Sequence, residues 1–175
     1  LQNSVENLLE LLEKRGPSLH ALLTRLTLRQ EVAEDLMQEL FIKLAGSKRL
    51  DKVDNLGAYV RTTAINLAFD WRRKESRLKT CSDEYVEAVS QDRTILTRLI
   101  DNEQLQVVLQ AAEQLNDLQR QVFVLRHIEQ NSFEQIAQEV GKTAHHVRAL
   151  ASRALARIRD ICSKIQVQGQ TEGEN

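Results

Sequence analysis

Apolar positions along this 175-residue chain recur every three or four residues almost throughout, the spacing that lays one apolar stripe along an α-helix. Val5, Leu8, Leu9, Leu11 and Leu12 predict a first amphipathic helix over residues 1–15, ending near Gly16-Pro17. Ser18 is placed to cap a second, with Leu19, Leu22, Leu23 and Leu26 buried. In EVAEDLMQELFIKLAGS, residues 31–47, the inward stripe is Val32, Leu36, Leu40, Phe41 and Leu44, while Asp35, Gln38, Glu39 and Ile42 fall on other faces. Gly46 closes that helix and SKRLDKVDNLG reads as a loop. The next helix, AYVRTTAINLAFDWRRKESR, carries Tyr59, Val60, Ala64, Leu67, Ala68 and Trp71 at core spacing. Residues 80–93 have no strong period and read as a linker. From Thr94 the helical pattern resumes through Leu105, Val108, Leu109, Ala112 and Leu115. Asn116-Asp117 then caps a helix that turns Leu118, Val122, Val124, Leu125 and Ile128 inward.

FEQIAQEVGKTAHHVRAL, residues 133–150, reads as two short helices joined by a tight turn. Ser132 and Gln135 have capping-box spacing. Ile136, Ala137 and Val140 give one apolar face, and Gly141 suits a left-handed C-cap. Thr143 can cap the second helix, whose inward positions are Val147, Leu150 and Ala154. Small Ala137, Gly141 at the turn and branched Val147 fit a helix-turn-helix. An ordinary helical hairpin fits these residues equally well, and the flanks separate the two. Lys142, His145, His146, Arg148, Arg153, Arg157 and Arg159 follow the turn, with Asp160 the first acid. A second helix basic on its outer face is what phosphate and base-edge contacts need.

Composition narrows the class. Hydrophobic residues make up 42% and charged residues 28%, enough for packed cores in a soluble protein. One proline, six glycines and no period-2 run of β-branched residues predict an all-α fold. The expected architecture is two small helical domains joined by a linker: residues 1–79, then 80–93, then 94–166, with 167–175 a disordered tail. No apolar run is long enough to span a membrane and no signal-peptide pattern opens the chain, so no membrane insertion is expected. The start at Leu1 rather than Met suggests a processed or excised piece. Cys81 and Cys162 form neither a metal-like spacing nor a disulfide framework, so reduced thiols in a cytoplasmic compartment are the default expectation.

Net charge is −1, which alone predicts no nucleic-acid affinity, but its distribution is uneven. Residues 61–79 and 142–164 are basic, whereas 31–39 and 83–92 lean acidic. Cations at the end of the Tyr59–Arg77 helix suit its dipole, at about 0.3–1 kcal/mol each. That does not account for Arg72, Arg73, Lys74, Arg77 and Lys79 within eight residues. His145 and His146 point about 100° apart on a helix and cannot easily share one ion. With no nucleophile elbow, phosphate loop or convergent carboxylates either, neither a metal, a cofactor nor an enzymatic activity is expected.

Two separated stretches resemble the sigma factors of bacterial RNA polymerase, most closely the extracytoplasmic-function group. AEDLMQELFIKL followed by NLGAYVRTTAINLAFDWRRK is similar to the family's second conserved region. LNDLQRQVFVLRHIEQNSFEQIAQEVGKTAHHVRALASRALARIR is similar to its fourth. The resemblance implies a transcription initiation factor that binds core RNA polymerase, recognises promoter DNA and assists melting. It implies that Asp35, Gln38, Glu39 and Ile42 dock on the clamp helices of the polymerase's largest subunit. The loop at 47–55 and the helix after it would then capture a flipped base of the minus-ten element. Arg61, Asn66, Arg72, Arg73 and Arg77 would guide that strand's phosphates. The minus-thirty-five element would be read by Lys142, Thr143, His145, His146, Arg148, Ala149, Ser152 and Arg153. Trp71, by its spacing, is expected in the core rather than against a base. Proteins of this group are commonly held inactive by an anti-sigma factor, so such a partner is an expectation too.

The chain departs from the family in places. It reads V-R-A-L-A-S-R-A where V-K-S-R-L-S-R-A is usual, so Leu150 stands for an arginine and Ala149 for a serine. Asn116-Asp117 replaces the usual leucine-proline-glutamate entry. Two other readings fit the residues alone: a dimeric helix-turn-helix regulator that binds palindromic DNA without polymerase, and a helical adaptor whose basic faces are merely solvated.

Overall fold

The computed structural model describes residues 2–47, 50–79 and 93–171, and among these it is entirely helices and turns. The helices are α1 (Gln2–Thr27), α2 (Gln30–Ala45), α3 (Leu56–Lys79), α4 (Arg93–Ala112), α5 (Asp117–Phe123), α6 (Phe133–Val140) and α7 (Ala144–Thr171). A short 3₁₀ turn spans Leu50–Lys52, and a wider turn, Val124–Ile128, continues α5. The expected linker at 80–93 lies outside the described residues up to 92, as do 172–175 of the expected disordered tail; residues 167–171 of that tail are instead helical, the last turns of α7, which is a correction.

In the first half, α1, α2 and α3 pack on one another. Leu8, Leu19, Leu22, Leu23 and Leu26 of α1 meet Val32, Ala33, Leu36, Leu40 and Leu44 of α2, with Val60, Ala64, Leu67 and Ala68 of α3, in one core. The expectation of two helices broken at Gly16-Pro17 is corrected: α1 runs through with Pro17 inside it. Ser18 does not cap a new helix, because its hydroxyl donates to Arg15 O at 2.9 Å within the same helix. Proline removes one backbone bond, yet α1 buries leucines on both sides of it, from Leu8 to Leu26. Burial of several leucines, at about 2 kcal/mol each, outweighs a local cost of about 3 kcal/mol.

The α1–α2 turn is made by Leu28, whose φ of 59° lies in the left-handed region that favours glycine. Thr27 steadies it, its hydroxyl donating to Leu23 O at 2.8 Å, and Leu28 packs against the core in return. On α2, Phe41 is 36% exposed rather than inward, a second correction. Leu40 and Leu44 already fill the inward stripe, which leaves Phe41 on its flank beside Ile42, 71% exposed. Asn55 caps α3, its side-chain oxygen accepting from the Ala58 N–H at 3.0 Å.

In the second half, α7 packs on α4, α5 and α6. Local signals here become structure directly. Asn116 accepts from the Gln119 N–H at 2.9 Å and starts α5. Ser132 and Gln135 form both bonds of the capping box. Gly141, at φ 64°, ends α6 in the left-handed conformation. The Thr143 hydroxyl accepts from His146 N–H at 3.2 Å and starts α7. Ile136, Ala137, Val147, Leu150 and Ala154 are buried between α6 and α7 and the helices beneath.

Candidate partner and nucleic-acid interfaces

On α2, Asp35, Gln38, Glu39 and Ile42 are all exposed. Their spacing puts them on one side of the helix, with Phe41 at the margin. The resulting surface has an apolar centre, Ile42 with the edge of Phe41, flanked by two carboxylates and an amide. A face of this kind suits docking against a basic, partly apolar helix. Beside it a cleft of about 240 Å³ separates α2 from α3, lined by Glu39, Lys43, Asp70, Trp71 and Lys74 among others. Trp71 is half-buried and packs against the core, with one edge on this cleft.

The outer face of α7 is open. Lys142, Thr143, His145, His146, Arg148, Ser152 and Arg153 are exposed and Ala149 is half-buried. Arg148 donates to Glu134 Oε1 at 2.9 Å across the turn and lies over the Phe133 ring at 5.5 Å. Both of these groups remain exposed, so the pair holds Arg148 only weakly. Leu150 is 7% exposed and belongs to the core, so an apolar residue at this position is a packing residue of the fold.

The residues expected to follow the minus-ten strand divide into two sets. Arg77 is exposed, Asn66 and Arg73 are half-buried, and Arg73 pairs with Asp70 one turn away on α3. Arg61 and Arg72 instead point into the seam between the two halves. Arg61 Nη1 donates to Glu139 Oε2 of α6 at 2.9 Å. Arg72 is 4% exposed and spends every donor group that bonds inside the protein: Nε to Glu113 Oε1 at 3.0 Å, Nη1 to Leu26 O at 3.1 Å, Nη2 to Gln106 Oε1 at 3.1 Å.

The seam has further parts that sequence reading missed. Arg25 of α1 donates to Ile128 O at 2.9 Å and to Glu129 Oε1 at 2.7 Å. Gln121 of α5 donates to the Thr62 hydroxyl at 2.5 Å. Arg120, only 2% exposed, lies 5.1 Å over the Phe69 ring of α3. The signal was present: α3 is apolar nearly all round at its middle, with Ile65 and Phe69 buried beside Ala64, Leu67 and Ala68, and such a helix is covered on two sides.

Burial sets the electrostatics of the seam. Desolvation pushes the Glu113 carboxyl above its ordinary range, against the pull of Arg72, Arg73 and Arg120. The same cause raises Glu139, opposed by Arg61 and Arg15 and reinforced by Glu129. The second oxygen of Glu139, Oε1, is buried with no hydrogen-bond partner among the described residues. Burial also lowers the Arg72 guanidinium, which Glu113 partly offsets.

Residues 11–78 match the model of Sigma-70 region 2, and residues 111–160 that of Sigma-70, region 4. The RNA polymerase sigma-E factor of Streptomyces avermitilis is 32% identical over 131 residues, covering 73% of this chain and 69% of that one. Its counterpart from Streptomyces coelicolor is 33% identical over 129 residues, covering 73% and 70%. Among solved structures, the sigma factor RpoE from Bartonella quintana, in complex with the anti-sigma factor NepR, aligns at a TM-score of 0.50. It is 23% identical and covers 90% of this chain and 98% of that one. CnrH, in complex with the cytosolic domain of CnrY, aligns at 0.50 with 18% identity, covering 89% and 86%. These two share the fold. Two family regions matched in order, and relatives this similar over that share of their length, show that the chain belongs to the RNA polymerase sigma factors of the extracytoplasmic-function group.

Proposed function

We propose that this protein brings core RNA polymerase to promoters through three surfaces, acting by binding and catalysing no reaction of its own. The α2 surface of Asp35, Gln38, Glu39 and Ile42 docks on the polymerase. Arg73, Arg77 and Asn66, joined by Arg61 and Arg72 once these are released, guide the opened minus-ten strand. The outer face of α7 reads the minus-thirty-five element in the major groove. Residues 1–79 and 94–166 are the two working units, with 80–93 between them. The cytoplasm, where polymerase and promoters are, is the site of action. No described helix is long and apolar enough to cross a membrane.

The observation that carries this reading is the pairing of an exposed acidic-apolar face on α2 with an open basic face on α7, each inside its own matched family region. An anti-sigma factor is the natural regulator; the Bartonella neighbour was solved with one. Charge reversal at Glu39 tests the docking surface. Glu39→Lys is expected to abolish binding to core enzyme while circular dichroism keeps the helical spectrum, since Glu39 is exposed at the rim of the α2–α3 cleft and outside the core. Normal core affinity in that variant removes the assigned surface. A protein that shifts palindromic duplex as a dimer without polymerase would be a regulator instead. One with no salt-dependent DNA affinity would be an adaptor.

A further inference from the structure

The outer face of α7 does not present all of its cations in the same way. Lys142, His145, His146 and Arg153 form no ion pair among the described residues, whereas Arg148 is held from the neighbouring helix. Its Nη2 donates to Glu134 Oε1 at 2.9 Å, and its guanidinium carbon lies 5.5 Å from the centre of the Phe133 ring. Phe133 and Glu134 open α6, on the far side of the turn from α7. The same ring carries the Arg126 guanidinium at 4.4 Å, and Arg126 is tied in turn to Asn131 O at 2.9 Å. A hydrogen bond alone leaves a guanidinium free to swing about it. A carboxylate at one edge and an aromatic ring beside its carbon together restrict both its position and its plane. Glu134 takes no part in the capping box, which Ser132 and Gln135 complete between themselves. A carboxylate in the first turn of α6 also suits the helix dipole. That role needs no partner fourteen residues further along the chain.

We propose that Glu134 is a positioning residue for base readout: it turns Arg148 toward a guanine edge in the minus-thirty-five element and away from the phosphates. The proposal rests on the reading of α7 as the helix that enters the major groove. An arginine left to itself on such a helix reaches the nearest phosphate, which adds affinity but carries no sequence information. Glu134 counters that in two ways. It takes one of the five guanidinium N–H donors and sets the direction of the fork, leaving the others for the paired acceptors O6 and N7 of guanine. Its own charge also repels a phosphate that approaches the same guanidinium. In the free protein the pair is weak, because both side chains stand in water. Docking in the groove displaces that water, and the lower dielectric tightens the hold as the base contact is made. Glu134 thereby determines specificity through Arg148 rather than through a base contact of its own.

The test uses holoenzyme reconstituted from core RNA polymerase and this full chain, with a duplex pool randomised across the minus-thirty-five element. Sequencing the bound fragments gives the base preference at each position. The wild type is expected to prefer guanine at one position by about tenfold or more, the discrimination of one good bidentate contact. Arg148→Ala should lose that preference and leave the other positions as they are. Glu134→Ala should reduce it to about twofold or less, keep total affinity within about threefold, and steepen the salt dependence as Arg148 turns to a phosphate. Glu134→Gln, which retains an acceptor at the same reach, should restore most of the preference. Neither Glu134 variant should move the unfolding midpoint, because the pair is exposed; a purely structural role would move it. An undiminished guanine preference in Glu134→Ala overturns the proposal, as does a uniform loss of affinity across all sequences in that variant. A wild-type pattern that Arg148→Ala leaves intact overturns it too. Each of these outcomes leaves the sigma-factor reading standing. No enrichment by wild-type holoenzyme over core enzyme alone overturns that reading and the proposal with it.

Discussion

The outer face of α7 and the basic face of α3 carry similar side chains, yet the fold treats them differently. On α7 the cations project from a helix whose inward positions are small or aliphatic, Val147, Leu150, Ala151 and Ala154, so nothing crosses above them. On α3 the arginines sit beside a second apolar stripe, Ile65 and Phe69, that must itself be covered. Covering it brings Arg120 over Phe69 and carries the carboxylates of the second half against Arg61 and Arg72. A basic helix with one apolar face leaves its cations open. One with two apolar faces has some of its cations covered by whatever packs on the second.

The largest way to break this contrast is at Arg72. Arg72→Ala should destabilise the protein by about 3 kcal/mol in urea unfolding, because it strands Glu113 and the Leu26 carbonyl in the seam. A loss under about 1 kcal/mol, the range of a surface ion pair, means the seam is wetter than described. Next comes α7. Arg153→Ala should weaken binding to duplex carrying the minus-thirty-five element by about tenfold, roughly 1–3 kcal/mol for a lost base or phosphate contact, without moving the unfolding midpoint. Fluorescence anisotropy at fixed salt reads it, and an unchanged affinity takes Arg153 out of the interface.

Arg61→Ala sharpens the contrast further. In the free protein it should leave DNA affinity within about twofold, since Glu139 already occupies that guanidinium, whereas in complex with core it should slow promoter opening by about tenfold. An equal loss in both states would mean Arg61 is never covered. The smallest expected effect is that of pH. Glu113 and Glu139 have folded-state pKa values above their ordinary value, so their contribution to the seam is complete at low pH and is lost as pH rises through those raised values. Glu113 faces Arg72, Arg73 and Arg120, and Glu139 faces Arg61, Arg15 and Glu129. Mild acidification from pH 7 to about 5 should therefore leave scattering dimensions unchanged or slightly smaller; expansion over that range contradicts the burial assigned to both carboxyls.

What could be read from the residues follows how local each signal is. The helix-turn-helix was legible almost atom by atom, because Ser132, Gln135, Gly141 and Thr143 act within four residues of their targets. The stripe on α2 was legible except at Phe41, which periodicity alone assigns to the margin of either face. Pro17 misled for a physical reason: a local breaker predicts a break, while the core on both sides of it holds one helix together. The seam was not legible, since Arg72 and Arg120 look like surface cations until their partners from distant parts of the chain are in place. Only the excess of apolar residues around α3 announced a second contact, and it named neither the partner nor the arginines it would bury.

The central claim is that this chain gives core RNA polymerase promoter specificity through two separate DNA contacts. Run-off transcription with purified core enzyme on a pool of random promoter fragments measures it directly. Discrete transcripts are expected only when this protein is added, with enriched templates sharing two short elements at a fixed spacing, and their loss is expected with Glu39→Lys. Transcripts no different from core enzyme alone would contradict it.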